Sequence, residues 1–124
     1  MQMKNSLSFN NNASGIDCNS NQAIIVDDCI SVDNAKTNYG LHYYTNAKLE
    51  FALNNNISFR TKAGDKDDIP DMVVSNSNYF YDGSVTKNKS KSEVQASQFK
   101  SVQMPQTIER DNDGNIILGD YMRK

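Results

Sequence analysis

Three short stretches of the chain alternate in the same way: Asn5-Ser6-Leu7-Ser8-Phe9, Asp28-Cys29-Ile30-Ser31-Val32 and Asn56-Ile57-Ser58-Phe59. Each runs polar, apolar, Ser, apolar, and side chains that alternate with a period of two read as a β-strand. The anchors Leu7, Ile30 and Ile57 stand 23 and 27 residues apart. A strand that recurs with a period in the twenties is the mark of a stacked solenoid, in which each repeat buries its apolar face only against its neighbours.

Aligning the chain with itself yields three strand classes. The first holds Ser6 to Phe9, Cys29 to Val32 and Ile57 to Arg60, each followed by a polar turn. The second holds Gly15 to Cys18 and Tyr39 to Tyr43, with Gly15 and Gly40 equivalent. The third holds Ala23 to Val26, Leu49 to Leu53 and Met72 to Val74. Strands in threes with turns between them predict an all-β fold, a right-handed parallel β-helix of about three coils, the hand being the usual one for parallel crossovers. Parallel stacking places like on like. Leu7, Ile30 and Ile57 are expected to form one interior aliphatic ladder, and Phe9, Val32 and Phe59 another. After Tyr81 the pattern changes. The expected division is coils over residues 1–81 and a tail over 82–124, with a turn at Asp82-Gly83, a solvated Lys87 to Lys91 loop, a short helical turn within Glu93 to Lys100, and a hairpin across Ile108 to Leu118.

Composition sharpens this picture. Asn occupies 17 of 124 positions, often in runs. Asn tolerates left-handed backbone and bonds its own main chain, so it suits tight turns. In a parallel stack it can also form ladders, as in cross-β assemblies. The formal charge of −2 carries no nucleic-acid footprint, and no apolar run is long enough for a membrane helix. Residues 1–9 show no apolar signal-peptide core. Cys18 and Cys29 sit within apolar strand patterns and are expected to be buried free thiols, with a disulfide between them as the alternative.

The stretch Asn5 to Asn21 resembles a rung of the bacterial pectate lyases of polysaccharide lyase family nine. Val26 to Asn34 and Leu53 to Phe59 resemble the rungs that follow, and Ala96 to Val102 with Arg110 to Gly114 is similar to the family's segment after its last coils. The resemblance spans about residues 3–118. It implies a secreted, monomeric enzyme that cleaves polygalacturonate by β-elimination, a Lys removing the proton beside the uronate carboxylate and Asp-bound Ca2+ acidifying it. In the family both motifs lie upstream of the matched rungs. Neither stands in this chain, where Lys4 occupies the polar lead-in to a rung. The resemblance therefore implies the distal part of such an enzyme, with no catalytic or metal residue and no Ca2+ of its own. The alternative reading is a non-catalytic carbohydrate-binding or adhesive β-helix module.

Local candidates for binding acidic sugar follow from chemistry. Arg60 and Lys62 pair two cations that suit carboxylates, against the plainer reading of a solvated turn. His42 and Tyr44 lie in an alternating segment, where a surface His and a packed Tyr are the plainer readings. Asp17, Asn19 and Asn21 alternate after Gly15 and are expected either to line a groove or to serve Asn-rich turn chemistry. Glu109, Asp111, Asp113 and Asp120 fall at positions 1, 3, 5 and 12 of a calcium-loop spacing with Gly114 at 6. Pro105 stands where such a loop needs an entering helix, so a β-turn is expected.

Overall fold

The computed structural model describes residues 1–41, 50–70 and 75–124. Residues 1–94 and 95–124 form two compact units. Among the described residues, the first begins with eight very short strands: β1 (Gln2–Lys4), β2 (Leu7–Phe9), β3 (Ile16–Asp17), β4 (Ile25–Asp27), β5 (Ile30–Val32), β6 (Tyr39–Gly40), β7 (Ala52–Asn54) and β8 (Ile57–Phe59). Consecutive strands lie in different sheets, and every third strand pairs in parallel: β1-β4-β7, β2-β5-β8 and β3-β6. This is all-β architecture with parallel strands in stacked sheets, consistent with a β-helix. The repeat of the first strand class holds residue for residue, Leu7 opposite Ile30 opposite Ile57 and Phe9 opposite Val32 opposite Phe59.

The expected ladders are buried in part: Val32, Ile57 and Phe59 are buried, while Leu7, Phe9 and Ile30 are only partly so. The other alternating set, Cys29, Ser31, Asn56 and Ser58, is buried as well, and its polar members are hydrogen-bonded. Ser31 donates to the Asn38 carbonyl at 2.7 Å, and the Asn38 amide donates to Ser58 Oγ at 3.0 Å. The two-residue period sends Ile30 and Val32 to the other side. Ile30 is only half-buried, and neither belongs to the continuous core of Ile16, Cys18, Ile24, Val26, Cys29, Tyr39, Leu41, Leu53 and Phe80. A Ser can occupy an inward position here because neighbouring Asn side chains and carbonyls satisfy its hydroxyl.

Two further registers move. The third class starts later than expected, at Ile25 and Ala52, and gains β1 as a first member. Met3, Val26 and Leu53 point inward, while Ile25 is 38% exposed. Leu49 and Met72 to Val74 lie outside the described residues. In the second class Gly40 pairs with Asp17 and not with Gly15. Gly15 serves a close approach instead, since a Cβ there would lie 2.2 Å from Ser31 Oγ and 2.3 Å from Asn34 Nδ2.

Asn chemistry organises the corners. Asn5, Asp28 and Asn55 occupy one register position between the first and second sheets, and all three adopt left-handed backbone (φ 49°, 54° and 56°). Asn10 and Asp33 repeat this at the next corner. Ladders form just beyond. The Asn56 amide donates to the Val26 carbonyl at 2.7 Å and to Asn78 Oδ1 at 3.0 Å, and its own Oδ1 accepts the Cys29 N–H. Asn11 donates to Asn34 Oδ1 at 2.8 Å. A buried amide that meets several main-chain groups replaces the water those groups would otherwise need. Cys18 and Cys29 are buried free thiols.

Beyond β8, Tyr79 bridges in parallel to Ile57, and β9 (Phe80–Tyr81) pairs antiparallel with β10 (Thr86–Lys87). The Asp82-Gly83 turn forms as expected, with Asp82 Oδ1 accepting the N–H groups of Ser84 and Val85. Lys87 lies in β10 and pairs with Asp82 at 2.7 Å. The second unit holds one 3-10 turn (Ala96–Gln98) and the expected hairpin of β11 (Glu109–Arg110) with β12 (Ile116–Ile117).

Candidate functional site

The third sheet carries a groove of about 460 Å³ on the first unit, lined by Ser14, Asp17, Asn19, Ser20, Lys36, Thr37, Gly40, Asp65 and Asp68. Asp17 pairs with Gly40, and Gly40 bridges in parallel to Asp68, so two carboxylate-bearing positions flank one that has no side chain. A Cβ on Gly40 would sit 3.0 Å from Asp17 Oδ2 and 3.0 Å from Thr37 Oγ1. Beside this column Thr37 donates to Ser14 Oγ at 2.9 Å.

The groove's walls stand on a buried polar frame. Asp67 is 4% exposed. Its Oδ1 accepts the N–H groups of Asn38 (3.0 Å) and Tyr39 (3.1 Å), and its Oδ2 accepts that of Tyr81 (2.9 Å). This fixes Asp68 beside Gly40. Burial pushes the Asp67 carboxyl up, and the Ser58 hydroxyl and the three amide donors pull in the opposite direction. Arg60 holds the second wall. Its guanidinium donates to the carbonyls of Asn34 (3.0 Å) and Lys36 and lies 5.5 Å from the centre of the Tyr81 ring. Gly64 leaves room for it, since a Cβ there would be 2.2 Å from Nη1.

Of the residues singled out in the sequence, Asp17 and Asn19 line this groove. Asp17 Oδ1 accepts the Asn19 N–H at 2.6 Å and Oδ2 faces Gly40. Asn21 closes a turn, its N–H donating to the Cys18 carbonyl and its Oδ1 accepting the Ala23 N–H. Arg60 turns its two Nη groups onto main-chain carbonyls. Lys62 is exposed and does not line the groove. His42 and Tyr44 lie outside the described residues. Sequence reading missed Lys36, Thr37, Asp65 and Asp68. The signal was present in Asp68, which follows Gly40 by 28 residues, a rung's length, but Thr61 to Asp68 reads as an ordinary polar turn.

Ca2+ takes six to eight oxygen ligands. Asp17, Asp65 and Asp68 line one groove without converging, and no group of three His, Cys, Asp or Glu side chains among the described residues is placed to hold an ion. In the tail, Asp111 Oδ1 accepts the N–H groups of Asp113 and Asn115, each at 2.9 Å, and Gly114 takes φ +84°. The Asn115 and Asp113 amides hold the Asp111 carboxyl below its usual range. The residues do not fit the ion. Calorimetric titration with millimolar Ca2+ is expected to give no heat that Asp113→Ala removes. A micromolar site lost on that change would reverse the assignment.

Two pectate lyases are similar to this chain. The pectate lyase L of Thermoclostridium stercorarium is 33% identical over 97 residues, 78% of this chain and 8% of that protein. The pectate lyase L of Paenibacillus polymyxa (strain SC2) is 33% identical over 122 residues, 98% of this chain and 25% of that protein. The chain thus spans a quarter or less of the curated relatives it matches. No family model matches the chain, and no solved structure matches it.

Proposed function

We propose that the chain is a stretch of a secreted, pectate-lyase-like protein: about three coils of a right-handed parallel β-helix of the polysaccharide lyase family nine type, in a protein that cleaves polygalacturonate by β-elimination. The observation that carries this reading is the similarity to pectate lyase L, which runs along 98% of the chain. The residue-for-residue parallel register of the first strand class supports the coil assignment.

Elimination beside a carboxylate needs a base placed on the C–H proton and a cation that stabilises the developing negative charge. This chain is proposed to supply neither. Lys4 lies on β1 with its ammonium 3.7 Å from the Asp27 carboxylate, and half of its side chain is in solvent. It is tied to its neighbour in the sheet and no cation site faces it among the described residues. The base and the calcium ligands of the parent protein are proposed to lie beyond these 124 residues.

The test is the ultraviolet absorbance of the unsaturated uronide product, measured with purified residues 1–124 on polygalacturonate at alkaline pH with Ca2+ added. No turnover is expected. Turnover that Lys4→Ala abolishes would place the catalytic strand at β1. Turnover that survives that change would require a base elsewhere in this chain.

A further inference from the structure

The dipeptide Asp-Gly occurs twice in the chain, as Asp82-Gly83 and Asp113-Gly114. Each sits in a turn, yet the two carboxyls are held in opposite ways. The pair has a chemistry of its own, because glycine has no Cβ to shield its nitrogen and moves through backbone conformations closed to other residues. The glycine N–H can attack the aspartyl side-chain carbonyl. A C–N bond forms, the carboxyl hydroxyl leaves with the amide proton as water, and a succinimide ring results. Water then reopens the ring. Cleavage of the bond from the nitrogen to the side-chain carbonyl restores Asp. Cleavage of the bond to the main-chain carbonyl leaves isoaspartate, with the chain now running through the side chain. One water leaves and one enters, so no other reactant is needed. The protonated carboxyl is the reactive form, because an ionised one offers no hydroxyl to expel.

Asp82 is guarded. Its Oδ1 accepts the N–H groups of Ser84 and Val85, both at 2.9 Å, and the Ser84 hydroxyl at 3.0 Å, while Oδ2 lies 2.7 Å from Lys87 Nζ. These partners keep the carboxyl ionised and fixed. The strands that flank this turn carry the buried Phe80, Tyr81 and Thr86, so the turn cannot open without disturbing packed residues.

Asp113 has no such guard. It is exposed, and its carboxyl has no hydrogen-bond or ion-pair partner among the described residues. A Cβ on Gly114 would meet nothing within 4 Å. The hairpin rests on two residue pairs, Glu109 with Ile117 and Arg110 with Ile116, and all four residues are exposed. A two-stranded ladder this short is marginal in water. Its opening releases the Gly114 N–H from the Asp111 carbonyl, 3.0 Å away, and lets it reach the Asp113 side chain. We propose that Asp113 isomerises spontaneously to isoaspartate and that Asp82 does not. The product adds a main-chain carbon between residues 113 and 114. It thereby breaks the turn in which Asp111 Oδ1 accepts the Asp113 and Asn115 N–H groups. The proposal is independent of the lyase reading.

The experiment is ageing of the purified chain for several weeks at mildly acidic pH, with synthetic peptides of residues 78–87 and 109–117 aged alongside as unrestrained references. Digestion, chromatography and electron-transfer fragmentation locate isoaspartate, and methylation by a protein isoaspartyl methyltransferase quantifies it. Isoaspartate at Asp113 is expected to exceed that at Asp82 by about tenfold or more, the ratio given by a difference of about 1.36 kcal/mol in reaching the reactive geometry. Conversion at Asp113 should run within a few-fold of its peptide, and Gly114→Ala, whose side chain hinders the attack, should cut it several-fold. Asp82 should convert far more slowly than its own peptide. That pattern supports the proposal. Equal conversion at the two sites, more at Asp82, or a rate at Asp113 as far below its peptide as that at Asp82 would overturn it.

Discussion

Asp67→Ala should cost about 3 to 5 kcal/mol of unfolding free energy, a loss at the upper end for a single change. The carboxylate accepts three main-chain N–H groups, those of Asn38, Tyr39 and Tyr81, from separate parts of the first unit. Truncation leaves all three without a partner in a site that is 4% exposed. A buried donor left unsatisfied costs about 1–3 kcal/mol, and water entering the space recovers part of the total. Asp67→Asn is a graded control. Its one acceptor oxygen can serve only one side of the site, and its NH2 group would confront an N–H, so an intermediate loss of about 1–3 kcal/mol is expected. Urea midpoints at unchanged m-value measure both.

The same residue sets a pH dependence with an unusual sign. Burial raises the folded-state value of Asp67 above the unfolded one. Its stabilising contribution is therefore full below the ordinary carboxylate range and is lost as pH rises through the folded value. Asp82 behaves in the opposite way. Lys87 at 2.7 Å and the Val85 and Ser84 amides hold its carboxyl well below the usual range. Its contribution is present above the ordinary range and is lost as pH falls through the depressed value. Asp67→Asn should thus steepen the net loss of stability in acid, and Asp82→Asn should flatten it. If neither change altered the slope of urea midpoint against pH, these shifts would not exist in solution.

Tyr39→Ala should cost about 3–5 kcal/mol, the range for emptying a buried aromatic site. Tyr39 is fully buried and meets Phe80 edge-on at 5.2 Å. Its hydroxyl reaches the carbonyls of Cys29 (2.9 Å), just before β5, and Ile57 (3.2 Å), in β8 of the same sheet. One side chain therefore ties the third sheet to the second through both packing and hydrogen bonding. Tyr39→Phe keeps the ring and should lose only about 1 kcal/mol. Reactivity of the buried Cys29 towards a thiol reagent should rise in the alanine variant and stay near the parent level in the phenylalanine variant. Equal protection in all three would mean that Tyr39 does not close this part of the core.

The register of the first strand class was legible because parallel stacking sets like beside like. Leu7, Ile30 and Ile57 found each other through a pattern that needs no knowledge of distant contacts. The corners were legible for a local reason too, since Asn5, Asp28 and Asn55 share a left-handed backbone that few residue types tolerate. The Asn ladders and the Asp111 to Gly114 turn follow from the same local chemistry. Long-range packing decided the rest. Around β5 and β8 both alternating sets hold buried residues, one aliphatic and one of Cys and Ser, which a two-residue period does not predict. Burial of the polar set depends on Asn34 and Asn38 arriving from the next turn to satisfy Ser31. Turn lengths also vary from rung to rung, which is why Gly40 lines up with Asp17 and Asp68 and not with Gly15. Arg60 looks in the sequence like a free cation, and only the fold shows its donors turned onto the Asn34 and Lys36 carbonyls. The repeat and the corners belong to the sequence because they rest on neighbours along the chain and on identical neighbours in the stack. The inward face, the groove and the use of each charge belong to the tertiary structure, because they depend on which unlike residues meet.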